Sequence, residues 1–420
     1  MPVNPNSTPC ERLRPEDIVP ALAKRLAILG STGSIGCDAL HVIRHLGDGY
    51  RVTGLSGHTQ AEKLIEQCRA CRPAVVCVTD PASADRVEEG VAGLGIGVLR
   101  GEAGLIDLVR RDDVDMVLGA IVGSAGLPAM MAAVTAGKGL ALANKESLVA
   151  AGSVLMPEAR RRGVNILPVD SEHSAIFQAM ASGRRAEVRE VILTASGGPF
   201  RSWDRDRIRS ATVADALNHP TWRMGKKVTI DSATMFNKGL ELIEACWLFD
   251  LPPGQVRIVV HPESVVHSMV EFVDGNVIAQ LSPPDMRTPI QYAITYPERV
   301  EGVGRRMKWG EAMSLNFCEP DYGKFPALGL AKRVAEMGGT AGAVMNAANE
   351  AAVSAFLGGK IQFGEICTVV ELTIAKHRVQ GQPTLDDVLE ADRWARATAA
   401  GLAETLETSE TSPCPSCHRP

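Results

Sequence analysis

The sequence is poor in aromatic residues, which form 4% of its 420 positions, and it has no excess of positive charge. Its formal net charge is −5, and no basic stretch is interleaved with aromatic side chains. Proteins that bind nucleic acids usually carry a basic surface of that kind. We therefore expect no nucleic-acid partner. The hydrophobic content of 45% indicates a folded protein with an ample core.

Long uncharged segments are also scarce. The window 117–137 has no charged residue, and its 21 residues are enough to cross a membrane. It contains Pro128 and four glycines, however, which favour a buried strand, a turn and a helix. The first 25 residues include Glu11, Glu16 and Asp17 and lack the apolar segment of a secretory signal. We expect no membrane association and a cytoplasmic location.

The ten cysteines do not form a disulfide framework, because they are scattered through a long chain. Cys68 and Cys71 make a CxxC, but a helix in EKLIEQCRACR explains their spacing. The tail CPSCHRP contains CxxCH, the pattern of haem attachment. In a terminus rich in proline and serine we interpret that match as a coincidence, with a loose zinc-binding tail as the alternative.

Glycine is plentiful, and strand-like and helix-like segments alternate from residue 25 to about 170. This alternation predicts an α/β fold with an N-terminal Rossmann-like, doubly wound parallel sheet over residues 24–170. Residues 171–305 mix strand-like runs, a hairpin signal at Asp274-Gly275 and an amphipathic helix, and they predict an α+β domain. Within that domain the segment KKVTID is predicted to be a strand.

The rest of the chain has a different pattern. After a linker at residues 306–324, the segment 325–405 has helical periodicity and predicts a C-terminal helical domain. We expect poorly ordered ends at residues 1–23 and 406–420.

A glycine-rich turn, GSTGSIG, follows the first strand-like run. Gly30 would end the strand in a turn, Gly33 would let backbone N–H groups approach a pyrophosphate, and Gly36 would let the next helix pack closely. The N-terminus of that helix would face the anion. The motif therefore predicts a dinucleotide site.

The second strand indicates which dinucleotide is bound. Sites for NAD usually have an acidic residue about 20 positions after the glycine motif, on the ribose 2′-hydroxyl. Here that position falls in LSGHT, which has no acid, so there is room for the 2′-phosphate of NADP. Gly57, His58 and Thr59 are candidate contacts.

Two acids lie one residue apart in PVDSEH. Asp170 and Glu172 follow a strand-like run, in which side chains two apart point the same way. Carboxylates suit Mg²⁺ or Mn²⁺ better than Zn²⁺. Taken alone, however, the segment favours a helix cap formed by Asp170 or Ser171.

A second polar cluster, in NKGLELIE, shifts this balance towards a metal site. Glu241 could complete a set of three carboxylates, with Asn237 on its helix face and Lys238 beside it. The alternative is a solvated helix start with an Asn cap and a Lys–Glu pair. Glu244 is interpreted as a surface residue of that kind.

Two loops have the composition of a phosphate site. TASGGPF presents Ser196 beside two glycines, and IDSATMFNK presents Ser232, Asn237 and Lys238. HPTWRMGKK places Trp222 among polar and glycine residues, which favours a lid over the substrate. LANKES places three polar residues, Asn144, Lys145 and Glu146, at the carboxyl end of a strand, where ligands bind in this fold.

Together these segments resemble the 1-deoxy-D-xylulose 5-phosphate reductoisomerase family. The matching motifs include GSTGSIG, ANKESLVAAG, LPVDSEHSAIFQ, LTASGGPF, HPTWRMGKKVTIDSATMFNKGLELIEACWLF, HPESVVHSMVEF, PDMRTPIQYA and NAANEAAVSAFL, in family order over residues 25–405. The resemblance implies NADPH-dependent rearrangement and reduction of 1-deoxy-D-xylulose 5-phosphate to 2-C-methyl-D-erythritol 4-phosphate, the second step of the methylerythritol phosphate route to isoprenoids. It also implies one divalent metal (Mg²⁺ or Mn²⁺, with Co²⁺ as an alternative) and a homodimer paired through the middle, catalytic domain.

The resemblance assigns roles residue by residue. It implies that Asp170, Glu172 and Glu241 bind the metal and, with Lys145, form the catalytic group. The substrate contacts that it implies are Ser171, Ser196, His219, Trp222, Ser232, Asn237, Lys238, Glu241 and Glu146. The cofactor contacts are Gly30, Thr32, Gly33, Ser34, Ile35, Gly36, Gly57, His58, Asn144, Lys145, Glu146 and Gly225, with Met224 near the nicotinamide.

Some segments depart from the family pattern, and two other functions compete with it. SGHTQ is not the usual family turn, and the N-terminal extension and the tail have no counterpart. A dehydrogenase of the semialdehyde type would need a catalytic cysteine, but Cys246 lies in a helical segment and Cys318 beside FCEP, neither in a nucleophile setting. A dinucleotide-sensing regulatory protein would not need the three carboxylates with a lysine.

Overall fold

The computed structural model describes residues 23–222, 224–310 and 312–411, with side chains up to residue 406. The predicted N-terminal extension, up to residue 22, and the tail CPSCHRP lie outside the described residues. The last helix runs to Thr411, beyond the predicted boundary at residue 405. Among the described residues, no helix is both long and apolar enough to cross a membrane.

The N-terminal part is a seven-stranded sheet in which all neighbouring strands are parallel, in the order β4-β3-β2-β1-β5-β6-β7. The strands are β1 (Lys24–Leu29), β2 (Tyr50–Gly57), β3 (Val75–Val78), β4 (Gly97–Arg100), β5 (Met116–Gly119), β6 (Gly139–Leu142) and β7 (Ile166–Pro168). The connecting helices are α1 (Ser34–Leu46), α2 (Ala61–Cys71), α3 (Pro81–Val91), α4 (Gly101–Arg110), α5 (Leu127–Thr135) and α6 (Lys145–Arg162). The predicted doubly wound sheet is confirmed.

This sheet is buried on both faces, which explains its almost continuous apolar strands. In β1, Leu26 and Ile28 pack into one core cluster while Ala27 and Leu29 pack into the cluster on the opposite face. The uncharged window 117–137 falls on β5, a turn and α5, as the sequence predicted.

A second sheet has four strands in the order β11-β10-β8-β9. They are β8 (Val188–Ala195), β9 (Val256–Val260), β10 (Val266–Phe272) and β11 (Val277–Leu281). β10 and β11 form the predicted antiparallel hairpin, and Gly275 in its turn has φ +84°. The helices of this part are α7 (Ser171–Met180), α8 (Arg205–Arg209), α9 (Val213–Leu217), α10 (Lys226–Thr234), α11 (Phe236–Phe249) and α12 (Arg287–Thr295).

The C-terminal part is helical, as predicted, and consists of α13 (Pro326–Met337), α14 (Ala341–Leu357), α15 (Glu365–Lys376) and α16 (Leu385–Thr411). A single core cluster joins these helices to α11 and to the second sheet. The C-terminal helices are therefore continuous with the core of the middle part.

The prediction of a strand at KKVTID is wrong, because these residues form α10. Its threonine hydroxyls form hydrogen bonds within the helix. Thr229 Oγ1 donates to the carbonyl of Gly225 at 2.9 Å, and Thr234 Oγ1 donates to that of Ile230 at 3.0 Å. Ile230 and Ala233 are fully buried in the core shared with α11 and α14. Tertiary packing overrides the strand propensity of the short Val-Thr-Ile run.

Candidate active site

A cavity of about 280 Å³ lies between the carboxyl edge of the seven-stranded sheet and the second sheet. It receives side chains from the loops after β1, β6, β7 and β8 and from α10 and α11. The predicted site residues that line it are Ser34, Ile35, Lys145, Asp170, Ser171, Glu172, Ser196, His219, Trp222, Met224, Gly225, Ser232, Asn237, Lys238 and Glu241.

The three predicted metal ligands meet on one wall of this cavity. Asp170 precedes α7, Glu172 lies in the first turn of that helix, and Glu241 comes from α11. One carboxylate oxygen from each lies within 4.8 Å of the others. Because three negative charges so close together need positive charge, the arrangement fits a divalent cation with oxygen ligands.

The alternative role as a helix cap does not apply to Asp170. Its side chain accepts no hydrogen bond from the first turn of α7. The hydroxyl of Ser171 donates instead to Glu172 Oε2, at 2.5 Å. The acidic pair therefore faces the cavity and not the helix backbone.

Two lysines neutralise the acids within the protein. Lys145 Nζ lies 2.5 Å from Asp170 Oδ2 and 2.9 Å from Glu241 Oε1. Lys238 Nζ lies 2.9 Å from Glu172 Oε1 and also contacts Glu241. Both ammonium groups are nearly buried, so each is held charged by the carboxylates around it.

The electrostatics of this cluster follow from burial and charge together. Burial alone disfavours every charge here, but Asp170 and Glu241 outweigh it and raise the pKa of Lys145 well above its ordinary value. Lys145 in turn outweighs burial at Asp170 and lowers the pKa of that carboxyl. Burial and then the neighbouring Glu172 raise the pKa of Glu241. An additional cation close to Glu241 would therefore favour its charged form.

Asn237 and Lys238, predicted to hold a phosphate, lie inside the carboxylate cluster. Asn237 accepts a hydrogen bond from Lys145 at 3.0 Å and donates one to Glu241 at 2.6 Å. The two residues line the same cavity as Ser232, and their contact with a phosphate stays a prediction.

The serine loop after β8 is built around His219. His219 Nδ1 accepts the backbone N–H groups of Thr221 and Trp222 at 3.1 and 2.9 Å, so the neutral ring carries its proton on Nε2. That nitrogen donates to Ser196 Oγ at 3.1 Å, and the N–H of Gly198 donates to the same oxygen at 3.2 Å. Since both lone pairs of Ser196 Oγ are used, its hydroxyl hydrogen remains to donate into the cavity.

The glycine-rich turn has the predicted backbone geometry. Gly30 has φ +78°, and a Cβ there would lie 2.6 Å from the carbonyl oxygen of Ala120. A Cβ on Gly36 would lie 2.5 Å from the carbonyl oxygen of Gly30. Gly33 is the N-cap residue of α1 and has no side-chain cap, so the first N–H groups of this helix remain available for an anion.

Three further predicted cofactor contacts have structural partners. Asn144 accepts the N–H of Ser147 at 3.1 Å as the cap of α6, and its amide donates to the carbonyl of Gly123 at 2.7 Å. Glu146 is buried and lies 3.4 Å from Lys227 Nζ. His58 Nδ1 lies 2.9 Å from Thr79 Oγ1. None of the three lines the described cavity, and their contact with the cofactor stays a prediction.

The interpretation of Glu244 as a surface residue is wrong. Its side chain is fully buried, one helical turn after Glu241, because this face of α11 points into the protein. His173, which had no predicted role, is also fully buried and lies between Glu244 and Asp170. Glu244 and Asp170 outweigh the effect of burial and raise the pKa of His173 to about 9.

One cavity residue, His267, has no role in the sequence prediction, although its motif HPESVVHSMVEF was noted. It is nearly buried, its Nε2 lies 3.1 Å from the carbonyl oxygen of Ser282, and its ring centroid lies 6.4 Å from that of Trp222. Burial lowers the pKa of His267, so the ring is neutral beside the predicted lid.

Comparison with known proteins identifies one family over most of the chain. The family model described as 1-deoxy-D-xylulose 5-phosphate reductoisomerase matches residues 26–152, and two models of the C-terminal domains of this family match residues 166–249 and 281–398. The curated enzyme of this name from Trichlorobacter lovleyi is 49% identical over 385 residues, which are 92% of this chain and 99% of that protein.

Solved structures agree in fold. The reductoisomerase from Zymomonas mobilis in complex with NADPH has a TM-score of 0.86 and 42% identity, covering 91% of this chain and 100% of that one. A DOX-P reductoisomerase in complex with NADPH, fosmidomycin and magnesium has a TM-score of 0.86 and 41% identity, covering 91% and 99%. The chain belongs to the 1-deoxy-D-xylulose 5-phosphate reductoisomerase family.

Proposed function

We propose that this chain converts 1-deoxy-D-xylulose 5-phosphate into 2-C-methyl-D-erythritol 4-phosphate, using NADPH and a divalent metal, in the methylerythritol phosphate route to isoprenoids. The observation that carries the proposal is the meeting of three carboxylates within 4.8 Å of one another in the cavity that also receives the glycine-rich turn. The related solved structures in complex with NADPH and with magnesium support both cofactors.

The metal site that we propose consists of Asp170, Glu172 and Glu241. Its donor set of carboxylate oxygens suits Mg²⁺ or Mn²⁺, with Co²⁺ as an alternative. Bound there, the cation supplies Lewis-acid polarisation of the adjacent oxygens of a hydroxyketone. NADPH bound at Gly30–Gly36 supplies the hydride for the reduction.

The protein itself contributes a fixed positive charge at the reacting end. The ammonium group of Lys145 is held by Asp170, Glu241 and Asn237, and we propose that its charge stabilises negative charge on a substrate oxygen bound beside it. Because these charges are preorganised in a nearly buried wall, they need little rearrangement when charge develops on that oxygen.

The phosphate of the substrate is proposed to bind at the serine loop after β8. The free hydroxyl hydrogen of Ser196, oriented by His219 and by the N–H of Gly198, is directed at an acceptor in the cavity. Gly197 and Gly198 both have positive φ, which turns the loop backbone sharply at this point. Ser232 lines the same cavity and adds a second hydroxyl.

Trp222 is proposed to act as the lid. Its indole lines the cavity, and its backbone N–H is tied to the ring of His219, the residue that also orients Ser196. Closing an apolar ring over the reacting atoms would exclude water and strengthen the electrostatic contacts beneath it.

We also propose a homodimer that pairs through β11. This strand lies at the edge of the second sheet, and Val277 and Ile278 on it are exposed. An uncovered apolar edge strand favours pairing with another strand. Light scattering of the purified chain tests this, and a monomer at working concentration would contradict it. The cytoplasmic location and the division of tasks among residues 24–170, 171–305 and 325–405 stay predictions.

The decisive experiment follows NADPH oxidation with 1-deoxy-D-xylulose 5-phosphate as substrate. We expect turnover that EDTA abolishes and that added Mg²⁺ or Mn²⁺ restores, with NADPH preferred over NADH. Turnover that persists in EDTA would contradict the metal site, and a preference for NADH would contradict the interpretation of residues 55–59. No oxidation of NADPH with this substrate would overturn the proposed function.

A further inference from the structure

Glu244 is unusual in the described structure, because its carboxylate is fully buried and neither of its oxygens has a hydrogen-bond partner. A buried polar group without a hydrogen-bond partner costs about 1–3 kcal/mol, and a charged one costs more. The neighbouring positions on α11, Leu242 and Ile243, are ordinary core residues. Packing alone does not account for an acid at this position.

The ring of His173, which comes from α7, faces Glu244. His173 Nδ1 lies 3.4 Å from Glu244 Oε2 and 3.6 Å from Asp170 Oδ2. His173 Nε2 lies 2.9 Å from the backbone carbonyl oxygen of Glu241. A carbonyl oxygen can only accept, so Nε2 is the donor of that hydrogen bond.

An aromatic contact also restrains the ring of His173. Phe249, at the end of α11, stacks on His173 with a centroid distance of 6.3 Å and an interplanar angle of 12°. The imidazole therefore has a defined plane and a defined tautomer at Nε2, and its remaining nitrogen faces two carboxylates.

His173 thus touches two of the three proposed metal ligands, which belong to different helices. It reaches Asp170 through its side chain and Glu241 through its main chain. Glu244 closes the arrangement from α11, one turn beyond Glu241. Together these contacts join α7 to α11 directly behind the carboxylates.

We propose that Glu244 and His173 are positioning residues, which hold Asp170 and Glu241 at the separation that binds a divalent cation. This inference rests on the metal site of the proposed function. Residues that orient metal ligands typically contribute 10- to 100-fold to metal affinity, which is the effect expected of this pair.

The test measures Mn²⁺ binding to the full-length chain by electron paramagnetic resonance, without substrate, and NADPH binding to the same samples by fluorescence. Glu244→Leu keeps a similar volume but removes the carboxylate that faces His173, so we expect Mn²⁺ affinity to fall by about 10- to 100-fold. Affinity for NADPH should stay within about twofold, because the contacts of His173 and Glu244 described above involve no residue of the glycine-rich turn. Glu244→Gln keeps an oxygen that can accept from His173 and should restore most of the Mn²⁺ affinity.

A matched control is Ile243→Val, a core change on the same helix that removes one methyl group and should leave Mn²⁺ affinity unchanged. If Glu244→Leu fails to fold, the comparison of Glu244→Gln with His173→Gln decides, and His173→Gln should bind Mn²⁺ more weakly. Equal losses of affinity for Mn²⁺ and for NADPH in Glu244→Leu, or an unchanged affinity for Mn²⁺, would overturn the positioning role.

The number of Mn²⁺ ions bound per chain distinguishes the other possible results of this experiment. One Mn²⁺ per chain in the parent supports the proposal. Two ions, falling to one in Glu244→Leu, would mean that Asp170, His173 and Glu244 bind a metal themselves, and no ion in the parent would remove the metal site and this inference together. A parent that binds Mn²⁺ but does not turn over the sugar phosphate would overturn the proposed function and leave the positioning role standing.

Discussion

The two ends of the active cavity are built in different ways. At the proposed cofactor end, backbone atoms within one short turn, Gly30 to Gly36, form the site, and a side chain on Gly30 or Gly36 would collide with main chain. At the metal end, the atoms are charged side chains that come from α6, α7 and α11. The first end depends on local backbone shape, and the second depends on how distant helices pack.

This difference has an energetic side. The cofactor end exposes helix N–H groups that water can satisfy when no ligand is bound, so it costs the fold little. The metal end buries three acids and two lysines, whose desolvation is offset only while every partner is in place. We therefore expect the metal end to respond more strongly to single substitutions.

The largest expected effect is at the metal end. Glu241→Gln removes the charge of the carboxylate that contacts both Lys145 and Lys238, and we expect turnover to fall roughly 10²–10³-fold, the usual effect of losing one preorganised electrostatic contact. Steady-state kinetics measures this, with circular dichroism to show an intact fold. The control is Glu88→Gln, which removes a surface contact with Arg100 and should leave turnover unchanged. Full metal-dependent activity in Glu241→Gln would refute the assignment of the three carboxylates.

At the cofactor end, substitutions of two glycines distinguish the packing of the turn itself from the approach of the ligand to it. A Cβ on Gly36 would lie 2.5 Å from main-chain atoms, so Gly36→Ala must shift the turn and should lower both the Tm and the affinity for NADPH. A Cβ on Gly33 would meet only one atom, at 3.4 Å, so Gly33→Ala should leave the Tm unchanged. It should still weaken NADPH binding, by about tenfold or 1.4 kcal/mol, if the pyrophosphate lies against this residue. Thermal unfolding and fluorescence titration distinguish the two, and equal NADPH affinity in Gly33→Ala and the parent would argue against the predicted approach.

The same contrast explains what the sequence could predict. GSTGSIG lies within one turn, so its geometry could be inferred from residue types alone, and Gly30 and Gly36 have the predicted roles in the backbone. Asp170 and Glu172 are close in sequence and were visible as a pair. The participation of Glu241, 69 positions after Glu172, was only a conjecture from residue types, and the family resemblance made it specific.

Where prediction failed, tertiary packing decided the outcome. Glu244 has the spacing of a surface acid on an amphipathic helix, and only the packing of α11 against α7 shows that it is buried. The Val-Thr-Ile run of α10 has strand propensity, and its burial against α11 and α14 makes it helical.

A smaller effect is expected from the C-terminal helices that support the metal end. Asn349 on α14 donates to Asp231 at 2.8 Å, and Asp231 pairs with Lys227 at 2.5 Å, beside Glu146. Asn349→Leu leaves the buried Asp231 with one donor fewer, which should cost about 1–3 kcal/mol of stability. We expect a lower Tm by calorimetry, whereas Ser354→Ala, at an exposed position on the same helix, should not change it. An unchanged Tm in Asn349→Leu would mean that this hydrogen bond does not contribute to the stability of the fold.

The smallest expected effect is a dependence on pH at the phosphate loop. Burial, and then Arg201, lowers the pKa of His219, and the neutral ring accepts the N–H groups of Thr221 and Trp222. Because the pKa in the folded state is depressed, the loop geometry is fully stable above the ordinary histidine pKa of about 6.5 and is lost as the pH falls through the lower, folded value. When the pH is lowered, we expect the KM for the sugar phosphate to increase a few-fold more in the parent than in His219→Gln. The phosphate itself titrates near a pH of about 6 in both proteins, so only the difference between the two profiles reports on His219. Parallel profiles would show that the ring of His219 does not control the geometry of the serine loop. The backbone of that loop would then determine its geometry, as it does in the glycine-rich turn.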